Sequence, residues 1–174
     1  MKTNLLITYG SWTEGTKGIA IQMAETLQQL PHVQMDIQPA KIVKDLTPYQ
    51  AVIIGSPIRA GMLHPTVVSF VKRHQNSLAG IPSAFFISCL TMNDPTEANR
   101  ETTRAYLQKL LNKTPLYHPV TLGLFGGVLN LQKLPFFLRM MFQNSKEMAE
   151  GDFRDWDQIN QWTLDTARQL LPTS

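Results

Sequence analysis

A chain of 174 residues with 43% hydrophobic and 17% charged residues has the length and composition of one globular unit, not of a disordered or fibrous chain. The net charge of +3 and pI near 9.1 are mildly basic; without a compact Lys/Arg cluster interleaved with aromatics they do not argue for nucleic acid, but they suit acidic ligands or an anionic lipid surface. Cys89 is the single cysteine, so an internal disulfide framework is excluded, and no Cys-x-x-Cys or His-x-x-x-His spacing offers a metal site.

The first residues, Met1-Lys2-Thr3-Asn4, carry one basic group and no cleavage pattern, so a cytoplasmic protein is expected. No apolar run approaches the ~18–20 residues of a spanning helix. Residues 4–9 (NLLITY) read as a buried strand, and after a Gly/Ser/Thr turn residues 16–30 place Ala20, Met23, Leu27 and Leu30 at helical spacing. Residues 33–37 form a second strand and residues 51–56 (AVIIGS) a third. Pro65 suits a first helical turn, with Val67, Phe70, Val71, His74 and Leu78 on one face. Residues 83–90 (SAFFISCL) are a fourth strand. Asp94-Pro95-Thr96-Glu97 reads as a helix start with Asp94 as cap, burying Thr103, Leu107, Leu110 and Leu111. Residues 120–124 are a fifth strand, and Asp155-Trp156-Asp157-Gln158 caps a last helix with Ile159, Trp162, Thr166 and Leu170 inward.

Alternating strands and helices predict an α/β fold, a doubly wound five-stranded parallel sheet of order 2-1-3-4-5 with its ligand crevice between strands one and three. One segment breaks the pattern. Residues 128–151 are too long for a strand-to-helix loop and carry Leu131, Leu134, Phe136, Phe137, Leu138, Met140, Met141 and Phe142 around Lys133, Arg139 and Lys146. This insert is either an extra packed helix, a subunit interface or an apolar surface for a membrane or quinone.

The densest chemical signal is Tyr9-Gly10-Ser11-Trp12-Thr13-Glu14-Gly15-Thr16-Lys17-Gly18. A strand running through hydroxyl-bearing residues into a helix makes an anion pocket, because amides, hydroxyls and the helix dipole converge there. Ser11, Thr13 and Thr16 are the candidate donors, and Gly15 lets the backbone approach. The order Thr16-Lys17 reverses that of a nucleotide triphosphate loop, and no Gly-x-Gly-x-x-Gly is present. The plain alternative is a polar turn that only starts a helix.

These residues resemble the phosphate loop of flavodoxins, and Ile54-Gly55-Ser56-Pro57-Ile58 resembles their third strand and following loop. The stretch Ile58-Arg59-Ala60-Gly61 through His64, Phe70-Val71-Lys72-Arg73-His74, Pro82-Ser83-Ala84-Phe85-Phe86 and Asp155-Trp156-Asp157-Gln158 is similar to the menaquinone-dependent protoporphyrinogen IX dehydrogenases. The resemblance implies one flavodoxin-like domain over residues 1–174, with the insert at about 128–151. It implies FMN held by the loops after strands one, three and four: Ser11, Trp12, Thr13, Gly15 and Thr16; Ser56, Pro57, Ile58, Arg59 and Gly61; Leu90 and Thr91. It further implies dehydrogenation of protoporphyrinogen IX, with electrons passed to a membrane quinone. The rivals are an electron-carrying flavodoxin, an NAD(P)H-dependent quinone reductase and an interaction module without flavin.

Arg59 is read as a flavin or carboxylate partner, or as a solvated loop arginine. His64 precedes Pro65 and reads as a helix cap or, less simply, as a catalytic group. His74 reads as a partly buried packing residue on its helix, and Cys89, close to the expected crevice, as a small buried hydrophobe. Trp12 either shields the bound ligand or packs on another subunit. Residues 57–64 and 90–94 contain no Trp, Tyr or Phe, so a flavin ring face left uncovered for a planar porphyrinogen or quinone is expected. No side chain stands out as general acid or base, which suits a cofactor that carries the chemistry.

Overall fold

The computed structural model describes residues 2–143 and 150–171. Lys146 and the rest of residues 144–149, together with the side chain of Phe142, lie outside the described residues. The described elements are β1 (Thr3–Tyr9), α1 (Gly15–Leu27), β2 (Val33–Pro39), β3 (Ala51–Arg59), β4 (Met62–Leu63), α2 (Pro65–Leu78), β5 (Ser83–Cys89), α3 (Glu97–Leu111), β6 (Thr121–Gly126), β7 (Val128–Leu129), α4 (Phe136–Gln143), β8 (Gly151–Asp152) and α5 (Trp156–Leu170).

The sheet runs β2-β1-β3-β5-β6 with every neighbour parallel, in registers such as Ile7↔Ile37, Ile7↔Ile53, Ile54↔Phe85 and Ile87↔Leu124. This is the predicted spatial order, with β4 added as an antiparallel partner of β3. Because side chains alternate across a strand, β3 divides its residues between two cores. Val52 and Ile54 pack with Val67, Phe70 and Val71 of α2 and Leu107 and Leu110 of α3. Ala51 and Ile53 share the opposite core with Ile19, Ala20 and Met23 of α1 and Ile159, Ala167 and Leu170 of α5. Trp162, half-buried, meets Phe125 edge-on at 5.5 Å.

Several expectations are corrected. Helix α1 ends at Leu27, leaving Leu30 in the following turn. β3 continues past Ser56 to Arg59, because Ala60 (φ 49°) and Gly61 (φ 72°) both take the left-handed conformation of a tight hairpin and fold Met62 back onto Arg59. The cap of α3 is Thr96, not Asp94: the Thr96 hydroxyl accepts the Asn99 N–H at 3.2 Å, while the Asp94 carbonyl takes the Asn99 side-chain amide at 2.7 Å. Strand β6 lies at Thr121–Gly126, shifted toward the carboxyl end. The insert folds as β7, a tight helical turn, and α4, and its return strand β8 pairs antiparallel with β7. No described helix is long and apolar enough to cross a membrane.

Candidate functional site

The carboxyl ends of β1, β3 and β5 open into a cleft of about 370 Å³. Its first wall is the turn between β1 and α1. Glu14 stands at the helix start with φ 63°, and its carboxylate pairs with Lys17 at 2.9 Å instead of capping the helix. The first intrahelical bond runs from the Gly18 N–H to the Glu14 carbonyl at 2.8 Å, and among the described residues no protein acceptor takes the N–H groups of residues 11–17. Such a run of unbonded amides with a left-handed residue inside it has the geometry of a nest that can accept an anion at the positive end of a helix. The Ser11 hydroxyl is buried there with no hydrogen-bond partner among the described residues. Thr16 is buried, and its hydroxyl is 2.8 Å from that of Ser88 at the end of β5.

The β3–β4 hairpin forms the second wall. The Arg59 guanidinium lies over the Trp12 ring, whose other neighbour is the His64 ring at 4.5 Å between centroids. Arg59 is half-buried and, among the described residues, has no carboxylate partner; burial lowers its pKa from the ordinary arginine value. Among the described residues lining the cleft it is the one formally charged residue. His64 is the N-cap of α2, its Nδ1 accepting the Thr66 N–H at 3.3 Å. Burial, then the nearby Arg59 charge, lowers the His64 pKa.

The third wall is the end of β5 and the helical turn Leu90–Asn93, which is joined to the segment after β6 by the Gly127 N–H donating to Asn93 Oδ1 at 3.0 Å. Burial raises the Cys89 pKa, so this thiol behaves as a packed group and not as a ready nucleophile. Leu138 and Met141, one helical turn apart on α4, also line the cleft. Phe136 and Phe137 on the same helix are 74% and 64% exposed. Arg139 is occupied within the insert, donating to the carbonyls of Leu131 at 3.0 Å and Gln132 at 2.8 Å.

Of the residues singled out in the sequence, Ser11, Trp12, Thr13, Gly15, Thr16, Pro57, Ile58, Arg59, Gly61, Leu90 and Thr91 all line this one cleft. Ser56 does not line it. Its hydroxyl lies behind the hairpin, donating to the Pro57 carbonyl and accepting the His64 N–H, each at 2.9 Å. Trp12 stacks against Arg59 and His64. Ser88, Tyr106, Val128, Leu138 and Met141 line the cleft without having been singled out as binding residues. A hydroxyl following the apolar run of residues 84–87, at the crevice end of the SAFFISCL strand, was a usable signal for Ser88. Tyr106 had none, since it reaches the cleft only through the packing of α3, and it adds an aromatic to a site whose loops at residues 57–64 and 90–94 have none.

A parallel doubly wound sheet with an anion nest after its first strand defines the class of protein, and the chain belongs to the flavodoxin domain family, whose model matches residues 6–155. A protein from Leishmania major named protoporphyrinogen IX dehydrogenase (quinone) is 28% identical over 172 residues, covering 93% of this chain and 74% of that protein. A protein of the same name from Escherichia coli is 27% identical over 177 residues, covering 96% and 95%. The crystal structure of oxidised flavodoxin 2 from Bacillus cereus superposes with a TM-score of 0.63 at 17% identity, covering 96% of this chain and 99% of that one. That last likeness is one of fold.

Proposed function

We propose that the chain is an FMN-dependent oxidoreductase that dehydrogenates protoporphyrinogen IX and delivers the electrons to a quinone. The observation that carries the reading is the buried Ser11 hydroxyl, without a partner among the described residues, beside the unbonded amides of residues 11–17. Unsatisfied buried donors are costly unless a ligand completes them, and a phosphomonoester supplies the required acceptors. The two relatives, similar over more than nine-tenths of this chain, support the substrate class.

The residues present fit FMN. Ser11, Trp12, Thr13, Gly15 and Thr16 would hold its phosphate and chain, and the hairpin residues Pro57, Ile58, Arg59 and Gly61, with Leu90 and Thr91, would flank its ring. When bound, FMN supplies two-electron redox chemistry by accepting hydride equivalents. The chain itself contributes binding, orientation and field. Arg59 favours negative charge accumulating in the cleft and attracts a carboxylate-bearing substrate. Leu138 and Met141 exclude water from one side. Among the described residues no carboxylate or imidazole lines the cleft, so no catalytic acid or base is assigned.

The whole chain, insert included, acts as one FMN-binding domain at the cytoplasmic face of a membrane. Phe136, Phe137 and Met140 are exposed and provide the apolar contact with the bilayer in which a quinone dissolves. The test is one preparation with three readings: the flavin spectrum as purified, reduction by protoporphyrinogen IX against NAD(P)H, and reoxidation by a menaquinone analogue. Flavin reduced by protoporphyrinogen and reoxidised by the quinone supports the proposal. Rapid bleaching by NAD(P)H with no porphyrinogen turnover refutes it.

A further inference from the structure

We infer that Arg154 is a positioning residue for the phosphate loop, orienting from outside the cleft the peptide that presents the Thr16 N–H. The inference rests on the FMN reading above. Arg154 lies between β8 and α5 and is not among the residues lining the cleft. Its side chain is only 16% exposed, and each edge of the guanidinium is used. Nη1 donates to the Gly15 carbonyl at 3.2 Å, Nε donates to Asp152 Oδ1 at 2.8 Å, and Nη2 pairs with Asp152 Oδ2. The guanidinium carbon sits 4.4 Å from the Trp156 ring centroid. A planar fork held by a carboxylate on one side and an aromatic face on the other is a rigid donor.

The contact matters because of what lies at the other end of the same peptide. The Gly15 carbonyl and the Thr16 N–H belong to one planar trans unit and point in opposite directions. Holding the carbonyl toward Arg154 fixes the N–H toward the open end of the helix, where the nest lies. The sequence keeps space for this arrangement: a Cβ on Gly18 would fall 2.4 Å from Arg154 Nη1. The same segment is tied to the opposite wall, since the Phe153 N–H donates to the Gly127 carbonyl at 3.0 Å and β8 pairs with β7. The return strand of the insert and the phosphate loop therefore share one clamp.

The test is a comparison of FMN with riboflavin, which lacks the phosphate, titrated into flavin-stripped full-length protein. In the wild type FMN is expected to bind more tightly than riboflavin. Arg154→Ala is expected to weaken FMN about tenfold, equivalent to about 1.4 kcal/mol, and to leave riboflavin affinity unchanged. Arg154→Lys, which keeps charge without the fork, is expected to show a smaller loss of the same selectivity and stands in if the alanine variant does not fold. FMN affinity unaltered in both variants, or FMN and riboflavin weakened in parallel, overturns the inference while leaving the FMN reading intact. A wild type that binds FMN no better than riboflavin overturns both.

Discussion

The Arg59 guanidinium carbon sits 4.5 Å from the centroid of the Trp12 ring, so a cation from the end of β3 is stacked on an aromatic from the turn after β1. A cation–π contact of this kind is worth about 0.5–2 kcal/mol depending on its desolvation, and it joins the two loops that would flank a flavin. Removing the charge has a readable consequence. Arg59→Gln is expected to lower the two-electron midpoint potential of the bound flavin by roughly 30 mV, equivalent to about 1.4 kcal/mol for a two-electron couple. Potentiometric titration reads this, and an unchanged potential would mean that Arg59 does not act on the ring.

Ser11→Ala separates ligand binding from folding. Among the described residues the buried Ser11 hydroxyl has no partner, so its removal is expected to leave the stability of the flavin-free protein unchanged or slightly raised. FMN affinity is expected to fall about tenfold, as for loss of a hydrogen bond to a charged group worth about 1.5–3 kcal/mol. Chemical denaturation of the stripped protein and FMN titration measure the two effects separately.

Thr16 and Ser88 are coupled in the opposite sense. Thr16→Val or Ser88→Ala strands the partner hydroxyl of a buried 2.8 Å pair and is expected to destabilise the flavin-free protein by about 1–3 kcal/mol. The double variant, with both hydroxyls gone, is expected to cost less than the sum of the two. A double-mutant cycle by urea unfolding decides, and strict additivity would show that the pair is not coupled.

Acid weakens the α2 cap. The folded-state pKa of His64 lies below its ordinary value of 6.5, because of burial first and Arg59 second. Neutral His64 therefore contributes stability that is fully present above the unfolded pKa and is lost as pH falls through the folded value. Protonation also abolishes the Nδ1 acceptor for the Thr66 N–H. Stability is expected to drop between about pH 7.5 and about pH 5, the range in which histidine titrates. His64→Asn, a non-titrating N-cap, is expected to flatten part of that drop. His74, whose pKa is lowered by burial and then by Arg73, supplies the remainder. Urea midpoints across this range check it.

Ala60 occupies the left-handed region at φ 49°, which costs a residue with a Cβ roughly 1–2 kcal/mol. Ala60→Gly is expected to raise stability by about 1 kcal/mol, read as a higher denaturation midpoint with an unchanged slope.

The elements of the sheet and the faces of its helices were legible from the chain alone, because they depend on short-range periodicity. Val67, Phe70, Val71, His74 and Leu78 recur on one helical face and are all buried on α2. The hydroxyl-rich bend of residues 11–16 was visible for the same local reason. Neighbouring residues with similar capacities were harder to separate. Both Asp94 and Thr96 can cap a helix, and the choice fell to Thr96 because α3 begins only at Glu97, which puts the Thr96 hydroxyl in reach of the Asn99 N–H.

What joins distant segments only the tertiary structure decided. Thr16 meets Ser88 across 72 positions of sequence and Arg154 meets Gly15 across 139, while Tyr106 and α4 reach the cleft from outside the loops that would define it. Such contacts follow from how helices pack on a twisted sheet, where small differences in position decide which side chains touch. Local propensity carries no term for them. The hydroxyl-rich bend could thus be read from its residues, but the positions of the groups that surround and brace it could not.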